Sequence, residues 1–470
     1  MKRTKIVCTI GPASEEPETL KGMIAAGMDV ARLNFSHGSY ESHAAVIARL
    51  RRLSRELERP IAIMGDLRGP RIRIGEMKPG VELAQGQPYV LTTREITGDE
   101  QQAPVSYTGL PGDLSVGDVL LIDDGDIELV VERIAAPDIY CCVRDGGPLV
   151  SHKGINLPGI SLSLHALTEK DLQDVQFAVE QQLDFLALSF VQSADDVKRL
   201  KSVLAGAGAD IPIIAKIEKS GALSDLDAIV SEAYGVMVAR GDLALEMSMA
   251  EVPIAQKTII DKCRAAAVPV ITATQMLESM IEEPHPTRAE ATDVANAVFD
   301  GTDALMLSAE TAVGHHPVQV VSTMAAIAAR AEEAWRKEEV RQKEPLLPQH
   351  SVDDTIGCLS CLAAKNLEAA AIVTHTTSGS TARRVCRHRP LTPILALTPR
   401  PATCNRLCLS WGVRPLLVPE MQGEEIGQLA LSKARELRLA GPGDLVVITA
   451  GIPLGVPGTT NTLKVQALPD

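Results

Sequence analysis

The stretch IPIIAKIE, residues 211–218, runs through consecutive apolar residues and ends on Lys216 and Glu218. Its apolar residues follow one another without alternation, which is the pattern of a strand covered on both faces. GVMVARGD (235–242) repeats the plan and ends on Arg240, Gly241 and Asp242. Six further runs match it: KIVCTIG (5–11), DVARLNFS (29–36), IAIMGD (61–66), DFLALSF (184–190), VPVITATQ (268–275) and DALMLSAE (303–310). Segments with helical spacing, such as ETLKGMIAAG and DVQFAVEQQ, lie between most of them. Strand-then-helix units in this order predict an α/β fold built on a (β/α)8 TIM barrel. A doubly wound sheet also alternates strand and helix, but it would not need eight strands so evenly punctuated.

The spacing breaks once, between the third and fourth runs. There VELAQGQPYVLTT, GDVLLIDDGDIELVVERI and IYCCVRD read as strands separated by Gly and Asp turns. An all-β insertion at this point follows a barrel strand and could serve as a lid. After about residue 340 the polar, proline-containing RQKEPLLPQHS reads as a linker. A second α/β pattern then begins with AAAIVTHTTSGSTARRV and continues through PILALTP, PLLVP and DLVVITAG. The expected division is a split barrel (1–67 and 158–340), a β-barrel lid domain (68–157) and a C-terminal α/β domain (346–470).

At 470 residues the chain exceeds one ordinary core, in keeping with several domains. A net charge of −14 argues against nucleic acid as the main partner, since phosphate backbones attract basic surfaces. No stretch approaches the roughly 20 apolar residues of a membrane span, and the apolar run after MKRTK is too short for a secretory leader. A cytoplasmic location, with no membrane partner, is expected. The nine cysteines do not suggest a disulfide framework, and Cys358 and Cys361 lie in a helical pattern that reads as buried structural thiols.

In a barrel of this kind, chemistry gathers where the strands end. Those ends carry Arg32 to Gly38, Asp66, Lys216 with Glu218, Arg240 with Asp242, Thr274, and Ser308 with Glu310. Glu218 and Asp242 suit a hard divalent cation such as Mg²⁺ or Mn²⁺, which takes one or two carboxylates and leaves other positions to water and substrate. Lys216 and Arg32 suit a substrate that carries phosphate. Metal, cationic clamps and hydroxyls together are the parts of phosphoryl transfer. Each has a plainer reading on its own: Lys216 and Glu218 as an ion pair, Asp242 as a helix cap. Six polar strand ends on one face favour the functional reading.

Beyond this physical reading, KIVCTIGPAS, ARLNFSHG, KGINLPG, KIE, VMVARGDL, ATQMLESM, PTRAEATDVANAVFDGTDALMLSAETA and the late GTTN resemble pyruvate kinase over nearly the whole chain. The resemblance implies a barrel, a lid and a C-terminal allosteric domain, assembled as a homotetramer. It implies transfer of the phosphoryl group of phosphoenolpyruvate to ADP, giving pyruvate and ATP. By the same resemblance Glu218 and Asp242 hold the divalent ion, Lys216 neutralises the phosphoryl group in transfer, and Arg32 binds the substrate phosphate. The backbone of Gly241 and Asp242 receives the substrate carboxylate, Thr274 helps route the proton, and Ser308 joins a water relay. His37, Arg73 and Lys153, with Asn34, approach the nucleotide phosphates.

The chain departs from the family pattern in GDLRGPRIRI (65–74). Members that need K⁺ usually read DTKGPEIRT there. Asn34, Ser36 and Asp66, the usual ligand positions, remain, but Leu67 replaces a threonine and Arg71 stands where the glutamate would be. A guanidinium keeps its charge in a protein, so Arg71 is expected to replace K⁺ and make the enzyme K⁺-independent. The plainer reading is a solvated loop arginine. Ala244 replaces a usual glycine.

In the C-terminal domain Thr376, Thr377, Ser378, Gly379, Ser380 and Thr381 lie between a strand and a helix. Hydroxyls and amides there suit a phosphate, and in the family this loop binds an allosteric sugar phosphate; a hydroxyl-rich cap is the alternative. The facing loop AGIPLGVPGTTN lacks the Trp and Arg that grip a second phosphate in bisphosphate-regulated relatives, so a monophosphate effector, AMP or a sugar monophosphate, is expected. Two other classes stay open. A metal-dependent barrel lyase acting on pyruvate enolates would have no use for the lid or Lys216. A catalytically silent regulatory barrel would have lost Lys216, Glu218 or Asp242.

Overall fold

The computed structural model describes residues 2–160, 167–336, 346, 351–420, 425–453 and 459–469. Eight parallel strands close into a barrel: Lys5–Thr9, Val30–Asn34, Ala62–Asp66, Phe185–Leu188, Ile213–Ile217, Gly235–Ala239, Val270–Ala273 and Ala304–Leu307. Each pairs with its sequence neighbours in the barrel, and the first closes on the last through Lys5 opposite Ala304 and Cys8 opposite Leu307. All eight apolar runs are strands, each somewhat shorter than its run.

The outer helices begin where the sequence supplies caps. Ser39, Thr168 and Thr287 each close a capping box at the start of helices Tyr40–Glu56, Glu169–Glu180 and Arg288–Asp300. That reciprocal pairing satisfies backbone donors that the first turn leaves free. Gly301 ends the third of these helices in the left-handed region at φ 96°. A large apolar layer between strands and helices includes Leu20, Met23, Leu50, Leu200, Ile259 and Val321. A separate cluster fills the barrel's inside with Val7, Val30, Met64, Phe185, Ile214, Met237, Ile271 and Met306, and Cys408 and Leu409 join it from the C-terminal part of the chain.

The insertion forms a six-stranded sheet in the order Gln102–Pro104, Pro88–Thr92, Asp138–Asp145, Ile127–Ala135, Val119–Ile122, Ile155–Asn156, with its own apolar core. It leaves the barrel after Asp66 through Gly69, whose φ of +66° only glycine adopts without strain. A Cβ at Gly69 would sit 2.7 Å from the Phe190 ring. The C-terminal sheet runs Val413–Leu417, Ile394–Thr398, Ala371–His375, Leu445–Gly451, Thr460–Ala467, with only the last strand antiparallel. Cys358 and Cys361 lie on helix Val352–Asn366, and burial pushes the Cys361 thiol well up. Among the described residues no helix is long and apolar enough to cross a membrane.

Candidate active site

Side chains along a strand alternate, so residues two apart share a face. Val7, Val30, Met64, Ala187, Ile214 and Met306 point into the barrel's apolar interior. Two positions on stand Thr9, Arg32, Asp66, Ser189, Lys216 and Ser308. The inward column therefore changes from apolar to polar at the C-terminal ends of the strands, and this ring is the floor of the candidate site.

Asp66, 1% exposed, is its hub. Oδ2 accepts from Arg32 Nε at 2.6 Å and lies 2.6 Å from the second guanidinium nitrogen. Oδ1 lies 3.3 Å from Lys216 Nζ. Arg32 also donates to Thr9 Oγ1 at 2.9 Å. Lys216 donates to Ser189 Oγ at 2.6 Å and lies 2.9 Å from Glu218 Oε1. Burial alone would raise the Asp66 pKa, but Lys216 and Arg32 outweigh it and hold the carboxyl below its ordinary range. For Lys216 burial acts downward, and Asp66 and Glu218 overcome it, so the ammonium is held more firmly than in water. Arg32 and Lys216 are thus held side by side by the buried Asp66, with Glu218 a second carboxylate against Lys216.

Glu218, 2% exposed, has its pKa raised by burial and opposed by Lys216, with the charge of Asp242 adding to the rise. Its Oε2 accepts the Phe190 backbone N–H at 2.6 Å. Asp242, on helix Arg240–Glu246, makes no hydrogen bond or ion pair among the described residues. Two carboxylates repelling across a cleft, one of them without a partner, form a donor set that a divalent cation would satisfy. The described residues hold no cluster of three or more metal-ligating side chains, so such an ion would take its remaining ligands from water and substrate.

The sixth and seventh strand ends are locked together. Arg240 grips Asp293 at 2.6 and 2.8 Å and donates to the carbonyls of Ala273 and Thr274. Thr274, at φ +64°, accepts the Gly241 N–H on Oγ1 at 2.9 Å. Gly241 lies close enough that an added Cβ would meet that hydroxyl at 3.6 Å. Ser308 donates its N–H to Glu310 Oε2 at 2.6 Å. Asn34 Oδ1 accepts the Ser36 N–H at 3.1 Å, and His37 is exposed beside it.

Lid residues meet this floor across a cleft lined by Pro70, Arg71, Asp124, Phe190, Lys219 and Asp242. Arg71 is exposed, and its guanidinium lies 5.9 Å over the Phe190 ring. Arg73 donates to the His152 carbonyl at 2.8 Å, and Lys153 is engaged by Asp123 at 2.7 Å. Leu67 is buried, its carbonyl accepting from Ser189. Thr376 to Thr381 lie in the C-terminal domain, away from this floor: Thr376 Oγ1 accepts the Gly379 N–H at 2.9 Å, and Thr381 pairs with Thr460 at 2.6 Å. Of the loop expected to face them, residues 454–458 lie outside the described residues.

The profile for pyruvate kinase, barrel domain, matches residues 1–321, and that for pyruvate kinase, alpha/beta domain, matches residues 354–466. The chain belongs to the pyruvate kinase family. It is 42% identical to the pyruvate kinase of Clostridium acetobutylicum over the full length of both proteins. It is 45% identical to that of Geobacillus stearothermophilus, over 100% of this chain and 81% of that one. A crystal structure of a pyruvate kinase from Cryptosporidium parvum superposes with a TM-score of 0.92 at 37% identity, covering 100% of this chain and 96% of that one. The chain is thus a phosphotransferase of the pyruvate kinase type.

Four contacts of the pyruvate kinase floor escaped the sequence reading. Thr9, Ser189 and the Phe190 N–H hold Arg32, Lys216 and Glu218, and Asp293 holds Arg240. The first and fourth strands were the two whose ends went without a role, and the fourth ends in Ser-Phe. The fourth strand's place between Asp66 and Lys216 in the ring was the available signal.

Proposed function

We propose that the chain transfers the phosphoryl group of phosphoenolpyruvate to ADP at the strand-end floor, with Mg²⁺ or Mn²⁺ held by Glu218 and Asp242. The observation that carries this is the part-buried Lys216, whose charged form Asp66 and Glu218 favour, on the fifth strand and sharing Asp66 with Arg32. A fixed ammonium and guanidinium in a site shielded from water stabilise a phosphoryl group without reorganising as charge moves. Arg32 binds the substrate phosphate. Gly241 and Asp242 offer backbone N–H groups to the substrate carboxylate, which requires the Gly241 N–H to exchange Thr274 Oγ1 for a carboxylate oxygen; Thr274 then orients the enolate and passes its proton, with Ser308 in a water relay. The divalent ion would supply charge neutralisation beside the substrate.

His37, Arg73, Lys153 and Asn34 are assigned to the nucleotide phosphates, which requires Lys153 to exchange Asp123 for a phosphate oxygen. The enzyme works without K⁺: Arg71 supplies the positive charge to the cation position assigned to Asn34, Ser36, Asp66 and Leu67. Its lack of a carboxylate partner among the described residues leaves that charge available to the cleft. The proposed division is barrel 1–67 with 158–340, lid 68–157 and C-terminal domain 346–470. Thr376, Thr377, Ser378, Gly379, Ser380 and Thr381 receive the phosphate of an activating sugar monophosphate or AMP. A cytoplasmic homotetramer completes the reading.

Steady-state formation of pyruvate from phosphoenolpyruvate, ADP and Mg²⁺ tests it, run with K⁺ and in buffer free of Na⁺ and K⁺. Similar rates are expected in both. Activity that appears only with K⁺ removes the role given to Arg71, and inactivity in both removes the assignment as a whole.

A further inference from the structure

The seventh barrel strand leaves the ring through a strained turn. Thr274 and Gln275 follow each other in the left-handed region, at φ +64° and +53°. That region is uncommon for any residue but glycine, and a β-branched residue there is an outlier. Such backbone persists where its surroundings over-determine it, and it gathers at functional sites. Here one side chain grips the whole turn. Arg240 donates through Nε to the Ala273 carbonyl at 3.2 Å, and through one terminal nitrogen to the Thr274 and Gln275 carbonyls at 2.6 and 3.2 Å. Its other terminal nitrogen reaches both carboxylate oxygens of Asp293, at 2.8 and 2.6 Å.

A guanidinium has five N–H groups, and these contacts set five oxygens against them. Arg240 therefore has nothing left to offer a substrate, although it stands at a strand end beside Gly241 and Asp242. The Thr274 hydroxyl is held differently. It accepts the Gly241 N–H at 2.9 Å and donates to the Ala273 carbonyl at 2.7 Å. The first of these bonds is the one that the substrate carboxylate takes over. When it goes, the Arg240 contacts on the carbonyls of Ala273, Thr274 and Gln275 remain to hold the turn.

We propose that Arg240 and Asp293 are positioning residues for the protonation step: the pair keeps Thr274 in its left-handed turn, so that its hydroxyl stays aimed at the enolate once the Gly241 N–H has turned to the substrate. This rests on the role given above to Thr274. Asp293 acts from helix Arg288–Asp300 in the outer layer, and its side chain is 35% exposed against 12% for Arg240. Its carboxylate fixes the plane of the guanidinium, and that plane fixes the three carbonyls. Asparagine at 293 keeps the shape but loses the charge and one acceptor oxygen. Lysine at 240 keeps the charge but has no planar fork to span the carboxylate and the carbonyls together.

Two readouts on the full chain test this. One is kcat and KM for phosphoenolpyruvate with ADP and Mg²⁺. The other is exchange of the pyruvate methyl protons in heavy water with ATP and Mg²⁺, followed by proton NMR. Exchange runs the protonation step backwards, a proton leaving the methyl carbon and a deuteron returning. Asp293→Asn and Arg240→Lys should each lower kcat and exchange by about ten- to hundredfold, the scale of a misplaced catalytic group. KM should stay within about threefold, because Arg32 and Lys216 are untouched, and Asp293→Glu should restore both rates to within about threefold of the parent, since the carboxylate returns. Adding Asp293→Asn to Thr274→Val should lower neither rate further, because residues acting through one another are not additive. Exchange at the parent rate in Asp293→Asn overturns the proposal, as does a raised KM with kcat unchanged. A full further loss in the double variant places the pair's effect elsewhere and overturns it too. Thr274→Val that exchanges as fast as the parent refutes the proton role of Thr274 and the proposal with it, whereas slow exchange in Thr274→Val beside an unaffected Asp293→Asn refutes the clamp alone. Asp293 is part-exposed, so its substitution tests the pair even if Arg240→Lys misfolds.

Discussion

Replacing Asp66 by asparagine separates what the strand-end hub does for folding from what it does for chemistry. The carboxylate accepts from Arg32 through Oδ2 and faces Lys216 through Oδ1, at 2.6 and 3.3 Å. An asparagine of the same shape has one acceptor oxygen and one NH2 donor. If the oxygen stays with Arg32, the NH2 group points at the Lys216 ammonium, a donor against a donor. Breaking a buried ion pair from one side costs about 3–5 kcal/mol. The loss should sit near the lower figure, because Thr9 still holds Arg32, and Ser189 and Glu218 still hold Lys216. With Asp66 neutral, the burial that acts downward on Lys216 is opposed only by Glu218 and, to a lesser degree, Asp242, so its pKa falls relative to the parent. Losing the fixed position of one electrostatic donor costs about 10²–10³ in turnover. Pyruvate formation and urea unfolding should be measured on the same preparations. The expected result is a fall in kcat/KM of about 10²–10³ together with the lost stability. A kcat/KM within about threefold of the parent, at reduced stability, would show that Asp66 is a folding residue only and that Lys216 does not depend on it.

Arg71→Glu reverses the charge beside the proposed cation position. The parent should work without K⁺, and the variant should lose about tenfold or more in K⁺-free buffer and recover with K⁺, since a charge at close range is worth about 1–4 kcal/mol depending on screening; equal rates in both buffers would refute the role. Gly69→Ala places a Cβ 2.7 Å from the Phe190 ring at φ +66°. It should lower stability by about 1–3 kcal/mol in thermal unfolding, and an unchanged midpoint would show that the turn relaxes freely. His388 provides a pH prediction: burial, then Arg387 and Arg264, against Asp354, take its pKa from an ordinary 6.5 down to about 4. Between those values the unfolded chain binds a proton that the folded chain does not, so stability is lost as pH falls through that window, by at most about 3 kcal/mol. Comparing urea unfolding at pH 7 and pH 4.5, His388→Gln should show a smaller loss than the parent, and an identical loss in both would remove His388 as a contributor.

The barrel was legible because its signal is local. Eight uninterrupted apolar runs are what two-sided burial demands, and each is a strand in the closed ring. The chemistry was legible for a related reason: Arg32, Asp66, Lys216 and Ser308 lie two positions beyond interior residues, so strand period alone turns them inward. What stayed hidden depends on ring order. Ser189 matters because the fourth strand closes between the third and the fifth, bringing its hydroxyl to Lys216 from 27 positions away. Asp293 holds Arg240 across 53 positions, from a helix further along the chain whose pattern does not mark it as a partner. Lys153 shows the opposite case: it reads as a free cation after a lid strand, and only the turn at Asp123 reveals its competitor. The same reasoning applies to Arg71. Its fixed charge is written in the sequence, but its seat over Phe190 depends on how Gly69 aims the lid, so the turn and the charge must be altered separately to tell which one governs the cation.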